Sequence, residues 1–273
     1  MIIQKALIPV AGWGTRMLPI TKAVEKCMLP IGTRPVIDYV VQDVIAAGIT
    51  DIYFVVAEGS TQIQQYYSAN ETLNRYLTRN NKTEKLSLVA PPQNITFHYI
   101  TQPSEGGYGT SIPVGLASDH IEEGESVLVI MGDQFFLRDD NGSNAADLIQ
   151  QVEASGASSG LLGVPIPEED VSKYGIIEKD AANRFVQIVE KPAPEDAPSN
   201  LNNASFYLFD KKIFELAKTL PANPVRGEFE ITDAINTYVE QGGTIMVGEA
   251  KGQYLDAGSP DGWLHANNVV AQK

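Results

Sequence analysis

The sequence is poor in cysteine and contains no long hydrophobic run, and each shortage excludes a class of protein. Cys27 is the only cysteine among 273 residues, so an intrachain disulfide and a cysteine-based zinc site are excluded. A reducing compartment, the cytoplasm, is therefore expected. No apolar run reaches the ~18 residues that a membrane span needs. The apolar residues 1–10 have no basic region before them, so we expect neither a signal peptide nor an anchor.

Basic residues are also scarce. Lys and Arg number 20 against 34 Asp and Glu, which gives a net charge of −14 and a pI near 4.6. Proteins that bind nucleic acids or anionic membranes present basic surfaces, so we expect neither partner. The 43% hydrophobic and 20% charged fractions are ordinary for a globular protein, and the length predicts one domain over 1–273. An anionic substrate would have to be held by local cations.

The first 60 residues alternate between strand and helix patterns. Residues 2–10 are short, apolar and followed by a glycine-rich turn, which predicts a buried strand. Apolar residues at helical spacing then run from Ile37 to Ala47, and Gly48 is a suitable helix stop. Residues 51–56 predict a second buried strand. This order indicates a βαβ unit with parallel strands.

The alternation continues to the C-terminus. We predict strands at 94–101, 126–131, 161–166, 205–209 and 244–247, helices at 114–119, 145–152, 211–220, 230–240 and after Pro260, and a hairpin within 176–189. Residues 70–94 are polar and predict a surface excursion with some helix. The expected fold is a single doubly wound α/β domain with a mostly parallel, mixed sheet flanked by helices.

Residues 10–16 form a glycine-rich turn directly after the first predicted strand. Glycines there allow the main chain to approach a phosphate group closely. The turn is not a Walker A motif, and Met17 stands where a Gly-x-Gly-x-x-Gly motif needs its third glycine. A purely structural tight turn therefore remains an alternative. The cations Arg16 and Lys26 favour phosphate binding.

Several segments resemble the signature of sugar-1-phosphate nucleotidyltransferases, most closely bacterial UTP–glucose-1-phosphate uridylyltransferases. They are residues 11–19 (Ala-Gly-Trp-Gly-Thr-Arg-Met-Leu-Pro), 21–23 (Thr-Lys-Ala), 26–31 (Lys-Cys-Met-Leu-Pro-Ile), 39–41 (Tyr-Val-Val), Gln102 with 107–109 (Gly-Tyr-Gly), 131–133 (Met-Gly-Asp), 174–175 (Tyr-Gly), 189–192 (Val-Glu-Lys-Pro) and 255–258 (Leu-Asp-Ala-Gly). The matches occur in order over essentially the whole chain. Their order is more specific than any single match.

The resemblance implies a Rossmann-like fold and a reaction. The phosphate of glucose 1-phosphate would attack the α-phosphorus of UTP, so that UDP-glucose forms and pyrophosphate leaves, with Mg²⁺ as the cofactor. A phosphomonoester with a second pKa near ~6 is mostly dianionic at neutral pH, so the reaction needs charge neutralisation and in-line positioning more than a general base. The resemblance further implies a homo-oligomer, a dimer or tetramer. Since few residues follow the 255–258 segment, we expect no room for the C-terminal β-helix that some relatives use for a second activity.

The resemblance also assigns roles to individual residues. The nucleotide-binding set is Ala11, Gly12, Gly14, Thr15, Arg16, Lys26, Gln102 and Gly107. Arg16, Lys26 and Lys191 form the catalytic set, since their charges would neutralise phosphate oxygens. Lys22 is left as a surface charge.

The remaining roles belong to the metal and the sugar phosphate. Asp133 follows a central strand, at the sheet edge where α/β proteins bind ligands, and with Asp256 it forms the expected metal pair. The sugar-phosphate set is Gly132, Gly175, Glu190 and Lys191. Residues 1–135 are expected to bind mainly the nucleotide and 136–273 mainly the sugar phosphate.

Three alternatives stay open. Residues 102–104 (Gln-Pro-Ser) match thymidylyltransferases, and Gly106 replaces the usual lysine, which favours a dTTP–glucose-1-phosphate thymidylyltransferase as the first alternative. Two further departures from the family pattern are Gln134 for Asp and Ser205 for Gly. The second alternative is an inactive relative that only senses nucleotide sugars. The third, a Rossmann dehydrogenase, is disfavoured because the third glycine is missing.

Overall fold

Both faces of the central strands are buried, which explains their continuous apolar sequences. The computed structural model describes residues 3–273. In Lys5–Pro9, Ala6 and Ile8 belong to the hydrophobic core on one face of the sheet, whereas Leu7 belongs to the core on the other face. Successive side chains of a strand point to opposite faces, so two-sided burial requires apolar residues throughout. The predicted first strand is confirmed, except that Ile2 lies outside the described residues.

The secondary structure follows the predicted alternation. The strands are β1 (Lys5–Pro9), β2 (Pro30–Ile31), β3 (Arg34–Pro35), β4 (Asp51–Ala57), β5 (Thr96–Gln102), β6 (Ser126–Ile130), β7 (Gln134–Leu137), β8 (Ser159–Pro165), β9 (Gly175–Lys179), β10 (Phe185–Glu190), β11 (Leu201–Asp210), β12 (Ile245–Glu249) and β13 (Gln253–Asp256). The helices are α1 (Val36–Ala46), α2 (Gln62–Tyr66), α3 (Glu71–Arg79), α4 (Leu86–Val89), α5 (Ser111–Ala117), α6 (Asn144–Ser155), α7 (Lys211–Thr219), α8 (Ile231–Glu240) and α9 (Pro260–Val270). Within residues 3–273, no helix has both the length and the apolarity needed to cross a bilayer.

The main sheet is mixed. Strand β1 lies between β4 and β6 and is parallel to both, and β5 adds a parallel strand beyond β4. On the other side, β11 runs antiparallel to β6 and pairs with β8 and with the antiparallel β9–β10 hairpin. Helices α1 and α6 contribute to the core on one face, and α5, α7 and α8 contribute to the core on the other. The expected α/β fold is therefore confirmed.

Local signals explain the helix boundaries that the sequence predicts correctly. Helix α6 begins after Ser143, whose hydroxyl accepts a hydrogen bond from the Ala146 amide at 3.0 Å. Such a cap satisfies one of the free N–H groups of the first turn. Gly48 follows α1 with a φ of +87°, in the left-handed conformation that favours glycine after a helix. The excursion over 70–94 contains the expected helices, α3 and α4.

A small second sheet is absent from the sequence prediction. Strands β7 and β13 pair antiparallel, with Gln134 opposite Asp256. Each strand has only four residues, so neither shows a clear periodic pattern. The pairing matters because it joins the segment after β6 to the segment before α9, where the two predicted metal ligands lie.

Candidate active site

The glycine-rich turn after β1 packs against the aliphatic part of the Lys26 side chain. Gly14 has a φ of +62°, and its carbonyl accepts a hydrogen bond from the Met17 amide at 2.8 Å. A Cβ atom on Gly14 would lie 3.0 Å from Lys26 Cβ and 3.0 Å from a Thr21 methyl carbon. Glycine is therefore needed at this position for its backbone conformation and for close packing. The turn thereby holds the aliphatic part of the Lys26 side chain in place.

A cleft of about 340 Å³ opens where β1, β5 and β6 end. These strands run in the same direction within the sheet, so their carboxyl ends meet at one edge, where α/β folds bind ligands. Among the predicted site residues, the cleft is lined by Ala11, Gly12, Lys26, Gln102, Gly107, Gly132 and Asp133. The tertiary structure thus brings five residues of the nucleotide-binding set together with one predicted metal ligand.

The two predicted metal ligands lie side by side with Lys26. The Ala257 amide donates a hydrogen bond to the Asp133 carbonyl at 2.9 Å, which continues the pairing of the small sheet. A Cβ atom on Gly258 would lie 2.7 Å from Asp256 Oδ1, 3.3 Å from Asp133 Oδ2 and 3.3 Å from Lys26 Nζ. Two carboxylates and one ammonium group therefore converge on one point.

The electrostatics of this point favour additional positive charge. Burial, followed by the Asp133 carboxylate, raises the pKa of Asp256, while Lys26 and Arg16 act in the opposite direction. Lys26 forms an ion pair with Asp133. One ammonium group thus faces two carboxylates, and carboxylate oxygens are ligands that Mg²⁺ prefers. Among residues 3–273, no group of three or more His, Cys, Asp or Glu could hold a metal ion, so a cation held by this pair would need its remaining ligands from phosphate and water.

Gln134, the departure from the family pattern, holds the small sheet in place. Its Nε2 donates to the Ala204 carbonyl at 2.8 Å, and its Oε1 accepts a hydrogen bond from the Tyr254 hydroxyl. The side chain is buried, and Gln134 is thereby linked to both β11 and β13. A carboxylate could not donate to the Ala204 carbonyl. Gln134 therefore ties the segments that carry Asp133 and Asp256 to β11.

The predicted sugar-phosphate residues outside the cleft gather at the open end of the β9–β10 hairpin. Gly175 lies opposite Glu190 in the antiparallel register, and a Cβ atom on Gly175 would lie 2.9 Å from Glu190 Oε1. The Lys191 amide donates to the Tyr174 carbonyl at 2.9 Å. Burial, followed by the Asp256 carboxylate, raises the pKa of Tyr174. The hairpin end is thus within electrostatic range of the Asp256 carboxylate.

The other predicted residues of the glycine-rich turn do not line the cleft. Gly14 supports Lys26 as described, and Thr15 and Arg16 are exposed. Arg16 still lies close enough to Asp256 to lower its pKa.

Gly132 lines the cleft, but a Cβ atom there would lie 2.4 Å from a Val10 methyl carbon, so its glycine is required by packing between the β1 and β6 loops.

Cys27 is buried beneath the site. The side chain is 4% exposed, and burial strongly raises the pKa of its thiol. A thiol that resists ionisation is a poor nucleophile and a poor target for oxidation. Cys27 therefore acts as a small buried hydrophobic residue.

Phe229 is a site residue that the sequence did not reveal. The helix predicted over 230–240 is confirmed as α8, but the contact of the preceding Phe229 with the Gly107 loop is unexpected. The Phe229 amide donates to the Tyr108 carbonyl at 2.8 Å, and the Phe229 carbonyl accepts from the Ser111 amide at 2.9 Å. A Cβ atom on Gly107 would lie 2.4 Å from the Phe229 ring. The glycines of this loop are the one sequence signal that could have indicated such an approach.

Comparison with known proteins relates the whole chain to one family. The family model described as nucleotidyl transferase matches residues 5–273. The chain is 38% identical over 272 residues to a Methanocaldococcus jannaschii protein provisionally named UTP–glucose-1-phosphate uridylyltransferase, covering 97% of this chain and 92% of that protein.

Solved structures give the same relationship. The UTP-bound UGPase from Acinetobacter baumannii matches with a TM-score of 0.87 and 28% identity, covering 98% of this chain and 93% of that one. A UDP-glucose pyrophosphorylase complexed with UDP-glucose matches with a TM-score of 0.83 and 30% identity, covering 99% of each chain.

Proposed function

This chain belongs to the nucleotidyl transferase family, and on that premise we propose that it transfers a uridylyl group from UTP to glucose 1-phosphate, producing UDP-glucose and pyrophosphate. The convergence of Lys26, Asp133 and Asp256 at one end of the cleft carries the proposal. That arrangement suits a triphosphate, and the names of the relatives supply the substrates.

The proposed reaction is an in-line displacement. An oxygen of the sugar phosphate forms a bond to the α-phosphorus of UTP, and the bond from that phosphorus to the bridging oxygen of pyrophosphate breaks. Lys26 would neutralise charge on the triphosphate, and Arg16 would add a second cation from the exposed turn. Lys191 would meet the sugar phosphate, and Glu190 would accept hydrogen bonds from sugar hydroxyl groups. Gly175 lets the Glu190 carboxylate lie against its backbone, because a Cβ atom there would lie 2.9 Å from Glu190 Oε1.

Asp133 and Asp256 are the residues that would hold Mg²⁺. A bound divalent cation would supply positive charge against the phosphates. Before it binds, Lys26 offsets part of the negative charge of the two carboxylates. When the triphosphate enters, the Lys26 ammonium group would exchange its contact with Asp133 for a phosphate oxygen.

Gln102 and the Gly107 backbone would read the base. A side-chain amide donates and accepts at once, as the edge of uracil or thymine requires. Both residues line the cleft, and Phe229 holds the Gly107 loop in place. Since uracil and thymine present the same hydrogen-bonding edge, this chemistry leaves the thymidylyltransferase alternative as the competitor to test.

The test is turnover of UTP, dTTP and CTP with glucose 1-phosphate, followed by pyrophosphate release and identification of the nucleotide sugar. UDP-glucose should be the favoured product. A clear preference for dTTP would establish the alternative substrate. Binding of UDP-glucose without any pyrophosphate release would instead support the inactive nucleotide-sugar sensor.

Several further expectations remain part of this proposal. The division into a mainly nucleotide-binding half, 1–135, and a mainly sugar-phosphate-binding half, 136–273, rests on the roles proposed for Gln102 and Glu190. The cytoplasm is supported by the single, buried cysteine. The homo-oligomer rests on the family resemblance, and light scattering after size-exclusion chromatography would measure it.

A further inference from the structure

Trp13 exposes a large apolar side chain at the cleft that the proposed function assigns to the nucleotide. It is 63% exposed, and Tyr108 on another loop of the cleft is 72% exposed. Among residues 3–273, these two are the only large exposed hydrophobic side chains that line this cleft. An exposed indole leaves apolar surface in water, and a flat ligand group lying on it would remove that surface.

The loop around Trp13 is fixed at both ends, while Trp13 itself stands between two glycines. The Val10 amide donates to the Val55 carbonyl at 2.8 Å, and the Met17 amide donates to the Gly14 carbonyl at 2.8 Å. A Cβ atom on Gly12 would have no neighbour within 4 Å. The backbone therefore holds Trp13 at the edge of the cleft, where its side chain remains 63% exposed.

We propose that Trp13 is the aromatic platform on which the uracil base of UTP stacks. This inference rests on the proposed function, because it takes the nucleotide as the occupant of the cleft. Gln102 lines the same cleft and carries the polar groups that a base edge needs. Stacking on an aromatic ring strengthens binding of every base to a similar degree. Trp13 thus sets the affinity for the nucleotide, whereas Gln102 and Gly107 set the choice between bases.

Steady-state kinetics test this division. Trp13→Ala should raise the KM for UTP roughly 5- to 150-fold, the range that a lost stacking contact produces. Trp13→Phe keeps an aromatic face and should restore most of the loss. The KM for glucose 1-phosphate and the inhibition constant of inorganic tripolyphosphate should not change, because neither compound has a base. The ratio of UTP to dTTP efficiency should also stay constant.

A matched control separates stacking from the loss of any exposed aromatic ring. Tyr76 is 47% exposed and does not line the cleft, so Tyr76→Leu should leave the KM for UTP unchanged. Thermal unfolding of Trp13→Ala should stay close to that of the parent chain, because the side chain has little packing to lose.

Intrinsic fluorescence provides a second measurement that does not depend on turnover. The chain has two tryptophans, and Trp263→Phe leaves Trp13 as the only one. Titration with UTP should quench or shift the Trp13 emission, and titration with tripolyphosphate should not. Isothermal calorimetry on the same variant reports whether UTP is bound.

The results of these experiments test the stacking role of Trp13 independently of the proposed reaction. The platform is overturned if Trp13→Ala leaves the KM for UTP unchanged, if Tyr108→Leu raises it while Trp13→Ala does not, or if bound UTP leaves the Trp13 emission unaltered. In those cases UDP-glucose formation can still support the reaction. If UTP alters the Trp13 emission but no UDP-glucose forms, the platform stands and the proposed reaction fails.

Discussion

Gly109 and Phe229 approach so closely that a Cβ atom on Gly109 would lie 2.1 Å from the Phe229 carbonyl oxygen. The same oxygen accepts a hydrogen bond from the Ser111 amide at 2.9 Å. Gly109 also has a φ of +140°, which side chains of L-residues rarely allow. The loop that carries Gly107 is therefore shaped by the backbone that leads into α8, far along the chain.

Gly109→Ala should displace this loop and raise the KM for UTP by at least about tenfold, since forced backbone strain costs on the order of 1–3 kcal/mol. Gly106→Ala is the matched control. Gly106 has a φ of +141°, but a Cβ atom there would meet no atom within 4 Å. The difference between the two variants isolates the contact with Phe229. Equal KM values for the two variants would contradict the role of that contact.

Lys26→Ala should lower kcat by about 10²–10³-fold, because a charge aimed at the phosphoryl transition state contributes several kcal/mol. Lys22→Ala removes an exposed cation from the same segment and should change kcat little. Circular dichroism and thermal unfolding would show that both variants are folded. A kcat for Lys26→Ala close to that of Lys22→Ala would remove Lys26 from the mechanism.

Asp256→Asn should raise the Mg²⁺ concentration needed for half-maximal activity by at least the roughly 10- to 100-fold that loss of an outer-shell partner produces. Asp133→Asn should act in the same direction, and chelation of divalent cations should abolish turnover of the parent chain. The exposed Asp261 in the first turn of α9 supplies the control variant Asp261→Asn. Calorimetric titration with Mg²⁺ provides a readout besides activity, and an unaltered Mg²⁺ dependence would exclude Asp256 as a ligand.

Asp51, the first residue of β4 and so at the end of that strand away from the cleft, makes the stability of the folded state depend on pH. His98 Nε2 lies 3.0 Å from Asp51 Oδ1, and this hydrogen bond is the main reason that the pKa of Asp51 is lowered. A lowered carboxyl pKa stabilises the folded state above the unfolded value of ~3.9, and the contribution is lost as the pH falls through the folded pKa.

Asp51→Asn should therefore reduce the free energy of unfolding at pH 7 by up to about 1 kcal/mol, the scale of partly exposed pairs. The difference from the parent chain should shrink as the pH falls below the unfolded value of ~3.9. Urea denaturation at pH 7, 5 and 3 measures it. Glu84→Gln, at an exposed carboxylate, should show no such trend. A difference that grows on acidification would have the wrong sign for this account.

Much of the fold was predictable because its signals are local. The mostly apolar residues 126–131 predict the strand that the structure has as β6, and residues 145–152 predict most of α6. The short strands β7 and β13 were not predictable, because each has four residues and their pairing joins distant parts of the chain. For the same reason the sequence alone shows Gln134 only as a departure from a family pattern, and not as the link between β11 and β13.

The candidate site divides in the same way. The sequence by itself determined the residue types that the chemistry needs: glycines after the first strand, the cations Arg16 and Lys26, and an aspartate after a central strand. Only the tertiary structure decided that Asp256 lies beside Asp133 and Lys26, that Phe229 supports the loop that carries Gly107, and that Trp13 stays exposed. Such contacts depend on which strands and loops pair when the whole core is buried, and that choice has no signature in local spacing.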